Sequence, residues 1–155
     1  MCFKSIAPSL LVLAALSGCS TFQPDYYKCD SQVTSYAEGI RSSLETQELA
    51  QDVEVRLNGV SASCYDNDRG VVTDLAIGLK VSRELGEGNG VDPVVVPMAA
   101  AIIGRDDEVI ETTSFIYTMQ FTNGVETIYP LVRRELTIPQ GGRIILSLTP
   151  ELLGQ

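Results

Sequence analysis

Six apolar or β-branched residues at every second position constrain the fold of this chain more than any other sequence feature. The run consists of Val71, Thr73, Leu75, Ile77, Leu79 and Val81. Asp74, Lys80 and Ser82 occupy intervening or adjacent positions. Because successive side chains of a β-strand point to opposite faces, the pattern predicts one long strand with a buried face and a hydrated face.

The same period of two recurs along most of the chain from residue 52 onward. Further strands are predicted over residues 53–57, 60–64, 94–103, 113–121, 125–129, 132–138 and 144–148. Asn58-Gly59 predicts a bulge or a kink between the first two of these segments. Pro97 lies inside the apolar run 94–103 and favours a buried or an edge strand, because proline cannot donate a hydrogen bond to a sheet.

Turn residues separate these strands. Turns are predicted at residues 65–70, 86–90, 104–108 and 139–142. Asn123-Gly124 is the strongest hairpin signal, with residues 125–129 as the returning arm. Roughly seven short strands of this kind predict an all-β, immunoglobulin-like antiparallel β-sandwich over residues 29–155. An up-and-down barrel remains the alternative.

Residues 30–50 give a mixed signal. Val33, Tyr36, Ile40 and Leu44 fit the stripe of an amphipathic helix, but Gly39 weakens a helix at that point. We expect a short first strand near residues 32–36, followed by a loop with one helical turn near residues 44–49.

The N-terminus has the pattern of an export signal over residues 1–18. Lys4 precedes an apolar run of eleven residues, 6–16, and small residues follow. A membrane-spanning helix needs about 20 apolar residues, so a cleaved signal peptide is favoured over a transmembrane segment.

The residues Leu16-Ser17-Gly18-Cys19 resemble the bacterial lipobox. The resemblance implies attachment of diacylglycerol to the Cys19 thiol, cleavage before Cys19 and acylation of the new amine. Two or more acyl chains give stable membrane anchoring. Ser20, where inner-membrane retention would have Asp, implies the outer membrane. The alternative is an ordinary signal peptide with a coincidental cysteine.

Residues 19–28 are then the lipidated N-terminus and a polar tether that ends before the folded domain. An extended tether of about nine residues spans at most roughly 30 Å, which keeps the domain near the bilayer. Tyr26-Tyr27 fits the membrane interface, where tyrosine rings are favoured.

Processing leaves Cys29 and Cys64 as a pair of thiols in an oxidising compartment, which predicts a structural disulfide. The loop-entropy estimate for a closed loop of this length is about 4 kcal/mol. The spacing is unlike the Cys-x-x-Cys of redox-active pairs, and two cysteines without histidine make a poor zinc site.

Charge and composition exclude several classes of function. The chain has no histidine, which excludes Ser-His-Asp and Cys-His catalysis and histidine-ligated zinc. A net charge of −9 argues against nucleic-acid binding, which needs clustered Lys and Arg.

For the remaining candidate residues, a structural role is favoured over a catalytic or metal-binding one. Residues 66–70 lack the spacing of a calcium loop, and the acidic residues 106–108 are typical of a solvated turn. Ser61 and Ser63 have no Ser-x-x-Lys relation to Lys80. Arg133-Arg134 lies in a strand and must point to opposite faces. We therefore assign no catalytic, cofactor-binding or metal-binding residue.

Several features together resemble a group of uncharacterised envelope lipoproteins of alphaproteobacteria. They are the lipobox, a cysteine that opens the mature domain, and the segments 59–64, 96–103, 115–121 and 148–152. The first segment reads Gly-Val-Ser-Ala-Ser-Cys and the last reads Leu-Thr-Pro-Glu-Leu. The group has no established activity, so the resemblance implies location and fold but no catalytic residues.

These observations predict a lipid-anchored, periplasm-facing envelope protein that is not an enzyme. We expect it to act through contacts with an envelope protein partner, as an accessory subunit of a complex. Strand addition at the sheet edge near Pro97 is one route. A hydrolase that uses acidic residues and a cell-wall polymer-binding module are the alternatives. A cleft lined by several carboxylates favours the first of these, and a groove bearing Tyr and Phe favours the second.

Overall fold

The computed structural model describes residues 24–46, 51–85 and 93–153, which contain ten β-strands and three short 3₁₀ segments. The strands are Tyr27–Lys28 (β1), Val33–Ser35 (β2), Arg41–Glu45 (β3), Asp52–Asn67 (β4), Gly70–Arg83 (β5), Pro93–Ile103 (β6), Val109–Gln120 (β7), Thr127–Ile128 (β8), Leu131–Ile138 (β9) and Arg143–Ser147 (β10). The 3₁₀ segments are Asp30–Gln32, Ala37–Gly39 and Pro150–Leu153. No described residue lies in an α-helix. The prediction of an all-β domain is therefore confirmed.

The strands form two sheets. In sheet A, β4 and β5 lie at the centre, β1 and β3 pair with β4, and β8 and β9 pair with β5. Sheet B has the order β2-β10-β6-β7. All pairings are antiparallel except β2 with β10, which is parallel. The described strands do not close into a barrel, so the barrel alternative is wrong.

The inward face of β5 forms the centre of the core. Its six predicted inward residues, from Val71 to Val81, are each at most 2% exposed. They pack against inward residues of β4 and of sheet B, among them Val55, Val96 and Met98. The alternation in the sequence therefore identified the central strand and its buried face correctly.

Strand β4 contains the irregularity that Asn58-Gly59 predicts. Its register with β5 shifts between Leu57 and Val60, and Gly59 has a φ of 102°. Across from the bulge, a Cβ added to Gly78 would lie 2.9 Å from the carbonyl oxygen of Asn58. The bulge therefore needs glycine on both strands.

The turn between β4 and β5 is shorter than predicted. The register joins Asn67 to Gly70, so Asp68 and Arg69 alone form the turn. The backbone N–H of Arg69 donates to Oδ1 of Asn67 at 2.8 Å. This acidic stretch is thus a hairpin turn, as the sequence indicates.

The predicted hairpin at Asn123-Gly124 is wrong. A turn forms there, with the N–H of Val125 donating to the carbonyl of Thr122 at 3.0 Å. However, the following strand β8 pairs with β5 of sheet A and not with β7 of sheet B. Phe121 is 1% exposed in the core between the sheets, so the chain crosses from one sheet to the other instead of returning.

The structure also corrects the interpretation of residues 30–50. Strand β2 confirms the predicted short strand near residues 32–36. The helical turn predicted near residues 44–49 is wrong for Leu44 and Glu45, which belong to β3 and pair with Val53 and Asp52 of β4. Pairing with a long strand outweighs the helical spacing of the apolar residues. Residues 47–50 and the predicted turn 86–90 lie outside the described residues.

Pro97 lies in the part of β6 that pairs with a described strand on one side only. Strand β10 pairs with residues 99–103, whereas residues 93–98 pair only with β7 among the described strands. Ala99 and Ala101 are buried, and β6 also contacts the 3₁₀ segment Pro150–Leu153.

Arg83 ends the inward face of β5 and is buried, with 6% exposure. Its Nε and one terminal nitrogen donate to the carbonyls of Val125 and Thr122 at 3.2 and 3.4 Å. The other terminal nitrogen donates to Oε1 of Gln51 at 3.3 Å. The guanidinium carbon lies 4.4 Å from the centre of the Phe121 ring. Arg83 therefore holds the crossover between the sheets in place.

We expect Arg83→Met to lower the free energy of unfolding by about 2–3 kcal/mol, because it removes the hydrogen bonds that a buried, charged guanidinium donates to two partly buried carbonyl groups. Arg143→Met is the matched control, since Arg143 is exposed and its ion pair with Asp107 is a surface contact. Arg143→Met should lower the free energy of unfolding by less than about 1 kcal/mol. Urea unfolding with the disulfide intact measures both, and an equal loss for the two variants would contradict the role given to Arg83.

A candidate binding groove beside the N-terminal segment

A groove of about 350 Å³ crosses the outer face of sheet A. It is lined by Tyr26, Ser61, Ser63, Asp74, Ala76 and Arg133. These residues come from the N-terminal segment and from strands β4, β5 and β9, so the site joins four separate parts of the sequence.

The strand register explains why a depression forms at this place. Ser61 pairs with Ala76, and Ala76 pairs in turn with Arg133 on the next strand. Ser63 pairs with Asp74. The short side chains of β4 and Ala76 form a low floor, while the longer side chains beside them rise as walls.

Tyr26 forms the wall on the β4 side. Its ring meets the ring of Tyr65 edge to face, with centroids 5.2 Å apart and an interplanar angle of 72°. This is a favourable arrangement for two aromatic rings. Tyr26 is nevertheless 54% exposed, so the ring remains accessible to a ligand in the groove.

The segment that carries Tyr26 is fixed to β4 in three ways. Cys29 and Cys64 form a disulfide, with their Cα atoms 5.9 Å apart. Strand β1 pairs Tyr27 with Cys64 and Lys28 with Ser63.

The third attachment is a set of hydrogen bonds at Ala62. Its N–H donates to Oδ1 of Asp30 at 2.7 Å, and its carbonyl accepts from the N–H of Cys29 at 3.2 Å. The disulfide therefore serves to position a wall of the groove as well as to close a loop.

The surroundings of the Tyr26 hydroxyl raise its pKa. Burial raises the pKa of Tyr26 above its ordinary value of 10.0, and the charges of Asp74, Tyr65 and Glu135 raise it further. Asp74 and Glu135 are direct cross-strand partners. The groove thus has an acidic side at Asp74 and a basic side at Arg133.

The adjacent Tyr27 reaches the end of β4. Its hydroxyl donates to Oδ1 of Asp66 at 3.5 Å. Burial, the charge of Asp66 and this hydrogen bond all raise the pKa of Tyr27 above 10.0. Both tyrosines, which the sequence suggested for a membrane interface, contact the sheet in this structure.

The groove brings together residues that sequence reasoning had considered only separately. Ser61 and Ser63 line it, whereas Lys80 does not, since it pairs with Arg56 further along the strands. Arg133 and Arg134 point to opposite faces, as predicted. Arg134 places its guanidinium 5.1 Å from the centre of the Phe115 ring.

The acidic turn between β6 and β7 is held by internal contacts. Arg143 donates to Asp107 at 2.6 Å, and Glu108 accepts from the N–H of Asp106 at 3.1 Å. Across residues 24–46, 51–85 and 93–153, no cluster of three His, Cys, Asp or Glu side chains could hold a metal ion.

The predicted lipidation site, Cys19, lies outside the described residues, as does the predicted signal over residues 1–18. Within the described part, no helix has the length and apolar character needed to span a membrane. The described part of the predicted tether, residues 24–28, lies against sheet A through Tyr26 and β1.

We expect Asp74→Asn to lower the pKa of Tyr26 toward 10.0, because it removes the largest charge effect on the hydroxyl. A raised pKa means that the native fold favours the neutral phenol. The neutral Tyr26 phenol therefore contributes to the free energy of unfolding below pH 10, and this contribution is lost as the pH rises through the native pKa of Tyr26.

Tyrosinate absorbance during alkaline titration measures the effect, and the difference from Tyr26→Phe isolates this residue among the six tyrosines. Glu111→Gln, on sheet B, is the control and should leave the Tyr26 titration unchanged. An unchanged titration in Asp74→Asn would show that Tyr26 does not lie beside the groove.

The comparisons with known proteins supply no further assignment. No family model, no curated protein and no solved structure matches this chain. The function is therefore argued from the residues and geometry of the chain itself.

Proposed function

We propose that this protein is a lipid-anchored, non-catalytic binding module of the cell envelope, which holds an extended segment of a partner protein in the groove on sheet A. The lipobox-like residues that end at Cys19 support the anchor. The disulfide between Cys29 and Cys64 is in keeping with an oxidising compartment. Membership in the group of envelope lipoproteins that the sequence resembles is part of the same proposal.

The short distance along the chain between Cys19 and Tyr26 carries the proposal. This wall of the groove follows Cys19 by seven positions, at most about 25 Å of extended chain. A ligand in the groove is thereby held close to the membrane to which Cys19 is anchored. Ser20 favours the outer membrane, with the domain facing the periplasm.

The chemistry of the groove suits a polar, extended ligand. Small-molecule sites are mostly concave and apolar and enclose their ligand. Here the groove is open, and two serine hydroxyls, a carboxylate and a guanidinium line it. Ser61 and Ser63 can bond to peptide groups, while Asp74 and Arg133 select side chains of opposite charge.

The hydrolase alternative needs two carboxylates that act on one bond. Asp74 is the single carboxylate among the residues that line the groove, and its cross-strand partner Glu135 is not part of that lining. We therefore propose binding rather than catalysis, and no cofactor.

One observation favours the cell-wall polymer as a second candidate ligand. Tyr26 and Tyr65 form a pair of rings at the groove. Aromatic rings of this kind pack against the apolar faces of sugars. Co-sedimentation with purified cell-wall material, compared between the native chain and Tyr26→Ala, tests this alternative.

The immunoglobulin-like assignment also belongs to the proposal. Two packed sheets, with the last strand β10 beside the early strand β2, support it. The disulfide differs from the bridge between sheets in antibody domains, because it joins the start of the domain to β4 within sheet A.

For the anchor, we expect Cys19→Ser to move the protein from the membrane fraction to the soluble fraction. The native product should lack residues 1–18 and carry acyl chains at its new N-terminus. Fractionation together with mass spectrometry of the intact protein measures both. An intact leader, or an unmodified thiol at position 19, would contradict the anchor.

For the groove, we expect a photoreactive amino acid at Ser63 to give one defined adduct with an envelope protein in intact cells. The same adduct should be lost when Arg133→Glu is added, because the substitution reverses the charge of one wall. A photoreactive residue at Glu54, an exposed position on the same strand, is the control. Equal labelling from both positions, or labelling unaffected by Arg133→Glu, would contradict a specific groove.

A further inference from the structure

Strand β7 is a long, open edge of sheet B. It extends over twelve residues, Val109–Gln120, and β6 is its only strand partner among the described residues. One side of β7 therefore presents backbone N–H and C=O groups that no described strand takes up. Such an edge is a template for another strand.

The usual protections of an edge strand are missing from most of β7. Residues 112–120 contain no charged residue, no proline and no glycine. Ile116, at the middle of this stretch, is 70% exposed on the outer face. Natural edge strands usually carry lysine, proline or a bulge that prevents pairing. Residues 112–120 of β7 therefore lack the charged residues and prolines that would prevent another strand from pairing with this edge.

The sequence of this stretch is complementary to itself. When two copies run antiparallel about Ile116, the two isoleucines face each other and Phe115 faces Tyr117 of the second copy. The flanking pairs are Ser114 with Thr118, Thr113 with Met119, and Thr112 with Gln120. Aromatic pairs and hydroxyl pairs of this kind stabilise neighbouring antiparallel strands.

Charge favours this surface over the rest of the molecule. A net charge of −9 makes two copies repel each other. An uncharged segment limits that repulsion at the contact. In the register centred on Ile116, Glu111 faces Phe121, so no carboxylate faces a carboxylate along the paired strands.

We propose that two copies of this chain join through antiparallel pairing of β7 with β7, about a twofold axis at Ile116. The two four-stranded sheets B then form one continuous sheet of eight strands. The contact is isologous, because the same residues are used on both copies. Assembly through this contact therefore stops at a dimer.

The symmetry has a consequence for orientation. A twofold axis between antiparallel strands of one sheet is perpendicular to that sheet, so both copies of sheet A lie on the same side. The two grooves then face the same way. If the anchors at Cys19 are present, as proposed above, both reach the same membrane. The pairing itself depends on neither the groove nor the anchor.

Cysteine cross-linking of the full chain tests the register. In the proposed dimer, residue 116 faces itself with Cα atoms about 4.5–5.5 Å apart, within the range of a disulfide. Ile116→Cys should therefore give a covalent dimer on mild oxidation, seen on a non-reducing gel. Thr118→Cys is the matched control, because two copies of residue 118 lie about four residues apart along the strands, beyond disulfide reach.

A second variant tests the association without a cross-link. Ile116→Lys places two like charges at the axis, and light scattering should show the mass falling from two chains to one. Ile116→Val should keep the dimer. Both experiments are repeated in Cys19→Ser, so that failure of the anchor is distinguished from failure of the pairing. The proposal is overturned if Ile116→Cys links no better than Thr118→Cys, if it links to a different protein, or if the native chain has the mass of one copy.

Discussion

Burial of the inward face of β5 is the interaction on which the rest of the structure depends. The six inward side chains of this strand, from Val71 to Val81, contact both sheets and fix its register with β4 and β9. A shift of one residue would expose all six and bury Asp74 and Lys80. Since the inward positions are fixed, the outward ones are fixed as well. The burial of Leu75 and Ile77 is what places Asp74 and Ala76 between the serines of β4 and Arg133 of β9.

Local patterns predicted the elements of this fold better than their partners. Alternation identified β4 to β7 and β9, because the side-chain period of a strand is a local property. Asn123-Gly124 turned the chain as predicted, but it did not pair the flanking strands, because burial of Phe121 outweighed the turn. Arg83 was not predicted, since its partners are more than thirty residues away in sequence. The groove was missed for the same reason, as it needs the register of three strands and the position of Tyr26.

In the proposed function, the N-terminal segment links location to recognition. If Cys19 carries lipid, as proposed, the chain from the membrane to the domain ends at residues that form part of the binding surface. The disulfide at Cys29 and the pairing of β1 then carry any force on the anchor into β4, beside Ser63. A tether that merely connected the domain to the bilayer would need none of these contacts. Their presence argues that the orientation of the groove relative to the membrane matters.

Anchoring and edge pairing reinforce each other in the proposed dimer. An uncharged edge is a risk for a freely diffusing protein, because it accepts strands in any orientation and from any chain. Chains held at one surface by lipid meet in a common orientation and at a raised effective concentration. Anchoring then strengthens a pairing of β7 that already forms in solution. The twofold axis at Ile116 uses the open edge of β7 in both copies at once, so neither copy of β7 remains free to pair with a third chain. Two grooves on one side of such a dimer would hold two segments of a partner together, with an avidity that neither groove has alone.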